Sequence, residues 1–300
     1  MKLLTVGERN GRKRRWTTLV RSVLLLSGVL TLAGCRPSAP QGLTDDVLLP
    51  FTPVKSQGQS EVCWAYAMLS TIETEHICRG DSVHLSVAFV EKAIEQEPAA
   101  PASKRGMGVT TVNLIQKYGL VPYMAMPTSD VPLPRQAFML GCDYTLQEFA
   151  HSVCAPGEYV SLTTTTAVAY GEETELPLPD NWENNRFRNV EPDSLLTLTE
   201  RAVRGRHGVC WEGDISEPGF DWQEGYAAES WWEGTTTDDH CMAIVGLAHD
   251  AQGVKYFIMK NSWGTKNPYG GLMYLSYGYF LKKTVAVYMS RDAITCSVSR

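Results

Sequence analysis

The sequence has no C-x2-C pair and no His-x3-His spacing, so no familiar zinc site is written into it. Basic charge is scarce. Lys and Arg number 27 against 33 Asp and Glu, and the formal charge is −6. Seven of those cations lie within residues 1–35 beside a single Glu, so the remainder carries −12. That body has no basic stripe with interleaved aromatics, which argues against binding nucleic acid or an anionic membrane surface through charge. Internal repeats are missing, and low complexity is confined to the TTTT tract at 163–166. What remains is a chain of 300 residues with 44% hydrophobic content, ample for one large domain or two modest ones.

One long apolar run is present, at 17–34. It follows RKRR at 12–15 and is broken only by Arg21 and small polar residues, the make-up of a targeting segment. It ends at Leu32-Ala33-Gly34-Cys35, which resembles a bacterial lipoprotein signal. The resemblance implies cleavage before Cys35 and a diacylglycerol on its sulfur. The product is then a lipid-anchored, periplasm-facing protein of the bacterial cell envelope. The alternative is an uncleaved transmembrane anchor, near the lower length limit for spanning and burdened by Arg21. Residues 36–43 follow as a short flexible tether.

The stretch KSQGQSEVCWAYAMLSTIETE (55–75) organises the rest. Its first part is short, polar and Gly-containing, which reads as a loop. From Cys63 onward Trp64, Ala67, Met68 and Ile72 recur at helical spacing, with Glu73 and Glu75 on the other side. Cys63 therefore stands where a loop becomes a buried helix. Unpaired N–H groups and the positive end of the macrodipole stabilise a thiolate there. Gln57, six residues upstream, offers an amide NH2 to the same place. A thiolate beside a backbone N–H and an amide donor suits acyl transfer. A lone Cys in such a helix is more often a buried core residue.

A second stretch, DDHCMAIVGLAHDAQGVKYFIMKNSWG, holds two β-prone runs at 241–248 and 254–261 around a turn at HDAQG. An antiparallel hairpin centred near Ala251 places His240 across from Asn261. A His held by an Asn amide oxygen is a base fixed in one tautomer. Trp263 is placed to lie over that pair and keep water from it.

QGQSEVCWAYA, DDHCMAIVG and KNSWG resemble, in that order, the three catalytic blocks of the papain-like cysteine peptidases (family C1). The resemblance implies Cys63 as nucleophile, His240 as acid/base, Asn261 as its orienter and Gln57 as oxyanion donor. It implies peptide substrates and no metal or organic cofactor. The family's usual Cys three residues before the nucleophile is Ser60 here. The interval of 177 residues from Cys63 to His240 also exceeds the plain papain spacing of about 130–150. Both departures point to the bleomycin hydrolase/aminopeptidase C branch, as do GMGVTTVNLIQKYGLVP (106–122) and GVCWEGDISEPGF (208–220). That branch implies aminopeptidase action, with the chain's own C-terminus entering the cleft. Ten extended residues after Ser290 reach at most about 33–36 Å, although Arg300 brings the wrong charge for meeting an ammonium. Gly106, Met107 and Gly108 occupy the place where relatives pair backbone with an extended substrate, with Met107 departing from the glycine pattern. An endopeptidase of the same fold, or a catalytically silent lipid-anchored binding protein, are the alternatives. Homo-oligomerisation is left open.

Taken in order, the peptidase domain spans 44–300. Helices are expected from Cys63 to about Arg79, over 85–97 and over 109–118, making a helical lobe of about 58–122. Residues 123–190 read as an insertion, with a short helix at 146–153 and a β-prone run at 159–170. A β lobe of about 191–300 opens with a helix from Pro192 to Arg204. Strands follow near 208–212, 241–248, 254–261, 272–276 and 283–290. Helical lobe then antiparallel β lobe is an α+β pattern, with the cleft between the two. Cys210 and Cys241 are expected as buried thiols, and Cys142 and Cys154 as the best local disulfide pair. His76, His84, His151, His207 and His249 read as surface residues. Asp239 either tunes His240 or caps its strand, and Trp231-Trp232 either line the cleft or pack the lobe.

Overall fold

The computed structural model describes residues 40–229 and 236–295. Strand β1 (Thr44–Leu48) comes first, followed by helices α1 (Cys63–Arg79), α2 (Val87–Ile94) and α3 (Gly108–Tyr118). All three helices lie where the 3.6-residue apolar period places them. Ser86 caps α2 by accepting the Phe89 N–H at 3.0 Å. Gly119 ends α3 with φ +85°, and a Cβ there would stand 2.4 Å from Leu146, so glycine is required.

The stretch expected as an insertion holds β2 (Ala137–Met139), β3 (Cys142–Tyr144), α4 (Leu146–Val153), β4 (Tyr159–Thr163), β5 (Glu173–Glu175) and β6 (Arg186–Asn189). Here β2 and β3 pair with each other, α4 packs on α3, and the other three strands join the main sheet. This segment therefore builds both lobes. Thr145 and Glu148 form a capping box that starts α4.

Next come α5 (Pro192–Arg204), β7 (Val209–Gly213), β8 (Phe220–Asp221), β9 (Tyr226–Ala227), β10 (His240–His249), β11 (Lys255–Lys260), β12 (Leu272–Ser276), α6 (Tyr277–Lys283), β13 (Thr284–Ser290) and α7 (Arg291–Thr295). The sheet order is β5-β6-β4-β13-β7-β10-β11-β12-β9-β8, with β1 also on β10. Pairing is antiparallel except between β4 and β6 and between β9 and β12. The molecule is α+β with two lobes. Trp64, Met68, Phe89 and Phe149 fill the helical core, and Trp211, Phe257, Phe280 and Met289 fill the sheet core. Helix α1 packs on α2 and α3 and also on β7 and β10, so it lies between the lobes.

That position sets the surroundings of Glu73 and Glu75, on the other side of α1 from its apolar residues. Neither faces solvent; both are buried, because α1 is covered on nearly every side. Each charge is accordingly paired. Glu73 accepts the Leu85 N–H at 2.7 Å, Lys55 at 3.3 Å and the Thr52 hydroxyl. Glu75 takes Arg79 at 2.7 Å and His207 Nδ1 at 2.9 Å.

Most of the histidines depart from the surface reading. His76 is buried, between Asp81 at 2.9 Å and the Val153 carbonyl at 3.0 Å, and His207 is drawn in by Glu75. His84 stacks on Tyr123 at 4.2 Å, while His151 and His249, the latter paired with Asp46, lie at the surface as expected. Cys142 and Cys154 form no disulfide. All six described cysteines are free, Cys142 exposed on β3 and Cys154 buried at the end of α4. Residues 291–295, expected as extended, are helical as α7 and dock on α5 and β13. Cys35, Trp231, Trp232 and residues 296–300 lie outside the described residues.

Candidate active site

Cys63 is the first residue of α1. Its N-cap, Val62, has no side chain to hydrogen-bond the first turn; its carbonyl accepts the Ala65 and Tyr66 N–H groups, and no side chain caps those of Cys63 and Trp64. The thiol is half-buried and its pKa lies well below the usual thiol value. The largest cause is a hydrogen bond from the Cys241 thiol; His240 adds a second hydrogen bond and an opposite charge, and the Cys241 backbone N–H a third bond. Burial opposes all of these and loses. Burial and its two thiol neighbours, Cys210 and Cys63, push the Cys241 thiol well up, so Cys241 remains the donor.

His240, the first residue of β10, is 3% exposed, and its Nε2 donates to Asn261 Oδ1 at 2.8 Å. Nδ1 is left for the Cys63 sulfur. The hairpin register differs in detail from the expected one. The turn centres one residue later than Ala251, so that His249 pairs with Lys255, and a bulge between Ile244 and Gly246 takes back only part of that shift, so that Ala243 meets Lys260. His240 thus reaches Asn261 on the diagonal rather than directly across. Asn261 is 2% exposed and held by its own backbone N–H on Gly271 O at 3.2 Å. Trp263 lies over His240 with ring centroids 4.6 Å apart, and Trp222 and Phe220 brace it edge-on. Cys63, His240 and Asn261 therefore form one hydrogen-bonded chain from α1 to β10 to the end of β11.

Gln57 lies in the loop before α1. Its Nε2 donates to the Ser60 carbonyl at 2.7 Å and its Oε1 accepts Ser262 Oγ at 2.6 Å, which fixes the amide from both ends. Of the three substrate-binding candidates, Gly106 lines the same pocket as Cys63 and His240. Met107 and Gly108 face the core instead. The Met107 N–H goes to Thr110 Oγ1, and a Cβ on Gly108 would stand 2.5 Å from the Tyr288 ring. Asp239 donates its backbone N–H to Gly213 O at 3.3 Å and accepts Thr237 Oγ1 at 2.8 Å, the position of a strand cap.

Sequence reasoning missed the acidic wall of this pocket. Glu212 is buried on β7, opposite Cys241 on β10, and Asp238 stands two residues before His240. Burial pushes the Glu212 carboxyl far above the usual range and Asp238 up to about 7. Arg105 chelates Asp180 at 3.0 and 2.9 Å and donates to the Asp238 carbonyl at 2.6 Å. The DD before His240 and the WEG of β7 carried the signal, but their meeting is a property of strand pairing.

No family model matches the chain. The structure of PepW from Lactobacillus rhamnosis superimposes with a TM-score of 0.66 at 16% identity, covering 83% of this chain and 82% of that one. A mite allergen structure, from a comparison of Blo t 1 and Der p 1, gives 0.53 at 19% identity over 86% and 73%. The senescence-specific cysteine protease SAG12 of Arabidopsis thaliana is 26% identical over 230 residues, which cover 74% of this chain. The fold is papain-like. The two lobes, the helix that opens at Cys63 and the His240–Asn261 hairpin agree with it. The chain spans about half the length of that plant relative, 52%.

Proposed function

We propose that this papain-like chain is a cysteine peptidase acting through Cys63, His240 and Asn261, and that it works as an aminopeptidase. The observation that carries the reading is the Cys63–His240–Asn261 hydrogen-bonded chain, closed at 2.8 Å and roofed by Trp263. The Cys63 thiolate attacks the peptide carbonyl. The oxyanion is held by the N–H groups opening α1 and by the second N–H of Gln57. His240, as imidazolium, gives its Nδ1 proton to the leaving amine, and a thioester remains on Cys63. Neutral His240 then takes a proton from water, the hydroxide adds to the thioester, and the acid departs as Cys63 regains its thiolate. Asn261 keeps Nε2–H occupied throughout, so Nδ1 is the nitrogen that exchanges protons.

The test is hydrolysis of a panel of aminoacyl, peptidyl and N-blocked fluorogenic substrates under reducing conditions, with a thiol-alkylating epoxide as label. Turnover by the native chain and labelling at Cys63 support the reading. A folded protein that stays silent across the panel is instead a binding protein on a peptidase fold. The docking of α7 favours the endopeptidase alternative, because it ties down residues expected to run into the cleft. Cleavage of blocked peptides as fast as free-amino ones selects that alternative.

We further propose anchoring through a lipidated Cys35 in the bacterial envelope. Cys35→Ser leaves unprocessed precursor without acyl label if this is right; a native protein that begins at Met1 shows an uncleaved anchor instead.

A further inference from the structure

We propose that Glu212 and Asp238 form a subsite beside Cys63 for a primary ammonium group of the peptide substrate. This rests on the peptidase reading of Cys63, His240 and Asn261 and names what that site selects. The pocket holding Cys63, His240 and Gly106 is walled on one side by these two carboxyls. Glu212 is 1% exposed, with Oε2 satisfied by the Gly108 N–H at 3.2 Å and by the Tyr288 hydroxyl. Its other oxygen, Oε1, is buried without a hydrogen-bond partner, and so is Asp238 Oδ2. Both oxygens are acceptors that turn to each other and to no donor of the protein, so only a shared proton or a bound cation satisfies the pair.

Charge and size decide the ligand. Arg105, the guanidinium that lines this pocket, is already paired with Asp180, which it meets with two nitrogens. The acidic wall therefore retains its preference for a cation. The cavity measures about 10 Å³, room for one water-sized group. An ammonium has that size and carries three donors; a guanidinium is a planar fork several times larger. With no substrate bound, one proton held between the two carboxyls covers their facing oxygens, in keeping with the raised Asp238 value of about 7. A substrate ammonium replaces that proton, which leaves to solvent, and its N–H groups donate to Glu212 Oε1 and Asp238 Oδ2. Successive residues of an extended peptide advance by at most about 3.6 Å. Either the α-ammonium of a short N-terminal stretch or a lysine side chain near the scissile bond therefore reaches this wall. The α-ammonium source supplies the anchor an aminopeptidase needs without calling on the chain's own terminus.

The experiment compares the full chain with Glu212→Gln and, separately, Asp238→Asn, each checked by thermal unfolding. Four fluorogenic peptides of matched length are used: free-amino neutral, N-acetylated neutral, N-acetylated with lysine, and N-acetylated with arginine. The native chain favours an ammonium peptide over the acetylated neutral one, chiefly in KM. That ratio falls about tenfold or more in each variant, as expected for losing one charge-assisted hydrogen bond. Preference for the free-amino peptide assigns the α-ammonium, and preference for the lysine peptide assigns the side chain. A ratio unchanged in both variants, or arginine favoured as strongly as lysine, overturns the subsite. A second measurement does not depend on turnover: calorimetric titration of the Cys63→Ala chain with alaninamide and with N-acetyl-lysine methylamide. Binding of either, lost in Cys63→Ala with Glu212→Gln, sustains the subsite even if no peptide is cut. Absence of binding together with an unchanged ratio removes it while leaving the peptidase reading intact.

Discussion

Cys63 and Cys154 sit at opposite ends of two helices that belong to the same lobe. Cys63 opens α1, where N–H groups point outward and donors converge. Cys154 closes α4 as its C-cap, fully buried, where the helix presents carbonyls and the negative end of its dipole. The first thiol is held well below its usual value by Cys241 and His240. Burial pushes the second up to about 12, with Glu158 adding to it and one long contact from Gln116 too weak to offset them. The same side chain favours the thiolate in one place and the protonated thiol in the other. Position on the helix and the supply of donors decide which, rather than burial, since burial opposes the thiolate at both.

The largest effect that sharpens this contrast is substitution of each sulfur in turn. Cys63→Ala is expected to lower turnover by roughly 10⁴-fold or more with the fold intact. Cys154→Ala leaves the chemistry in place and costs about 1–2 kcal/mol of stability, through the small cavity and lost contacts. Alkylation followed by peptide mapping gives the same ranking without mutation: label enters at Cys63 near neutral pH and is absent from Cys154 in the folded chain. Label at Cys154 at a comparable rate would mean that the helix end and its donors do not govern reactivity here.

Asn261→Ala comes next, with a loss of roughly a hundredfold in kcat. His240 keeps its place in β10 and its contact with Trp263, but Nε2–H loses its acceptor and the wrong tautomer becomes populated. The loss is therefore expected in kcat rather than KM, and smaller than that of Cys63→Ala. A loss equal to that of Cys63→Ala, with Tm falling alongside, would mark Asn261 as a structural residue of the hairpin.

Much of this site is legible in the sequence because its parts are local. The loop-to-helix change at Cys63 shows in the switch from polar to 3.6-residue spacing, and the HDAQG turn brings His240 to Asn261 over a short hairpin. The capping box at Thr145 and Glu148 likewise announces α4 over Leu146–Val153. What stays hidden comes from distant pairings. Glu73 and Glu75 stand opposite the apolar residues of α1 yet are buried, because both lobes cover the helix, and their partners Lys55, Leu85 and His207 come from elsewhere. Glu212 meets Asp238 and Cys241 only because β7 lies against β10. The HDAQG turn centres one residue later than its composition suggests, and the bulge between Ile244 and Gly246, which leaves no mark in composition, takes back part of that offset.

The smallest effect tests the most specific part of the contrast, the donors that distinguish Cys63. Cys241 reads in the sequence as a buried strand thiol, and it is one, yet its S–H is the foremost cause of the Cys63 thiolate. Cys241→Ala removes that donor and keeps the backbone N–H and His240. The direction follows from the charge state. A thiolate that loses a donor gains a proton more readily, so the Cys63 pKa rises toward its ordinary value. Activity needs the thiolate and is lost as pH falls through that pKa, so the acid limb of kcat/KM moves to higher pH. At pH above the Cys63 pKa of both forms the thiol is ionised in each, and the variant is expected to change little there. On the acid limb a weak hydrogen bond of about 1 kcal/mol corresponds to roughly a fivefold loss. The check is the pH profile of kcat/KM for a neutral, N-acetylated peptide, chosen so that no substrate ammonium meets Glu212 and Asp238. An acid limb that stays where it was would assign the lowered pKa to His240 and the α1 N-terminus alone. A uniform loss at every pH would instead mean that the small void on β10 disturbs the site as a whole, with Cys241 acting through packing.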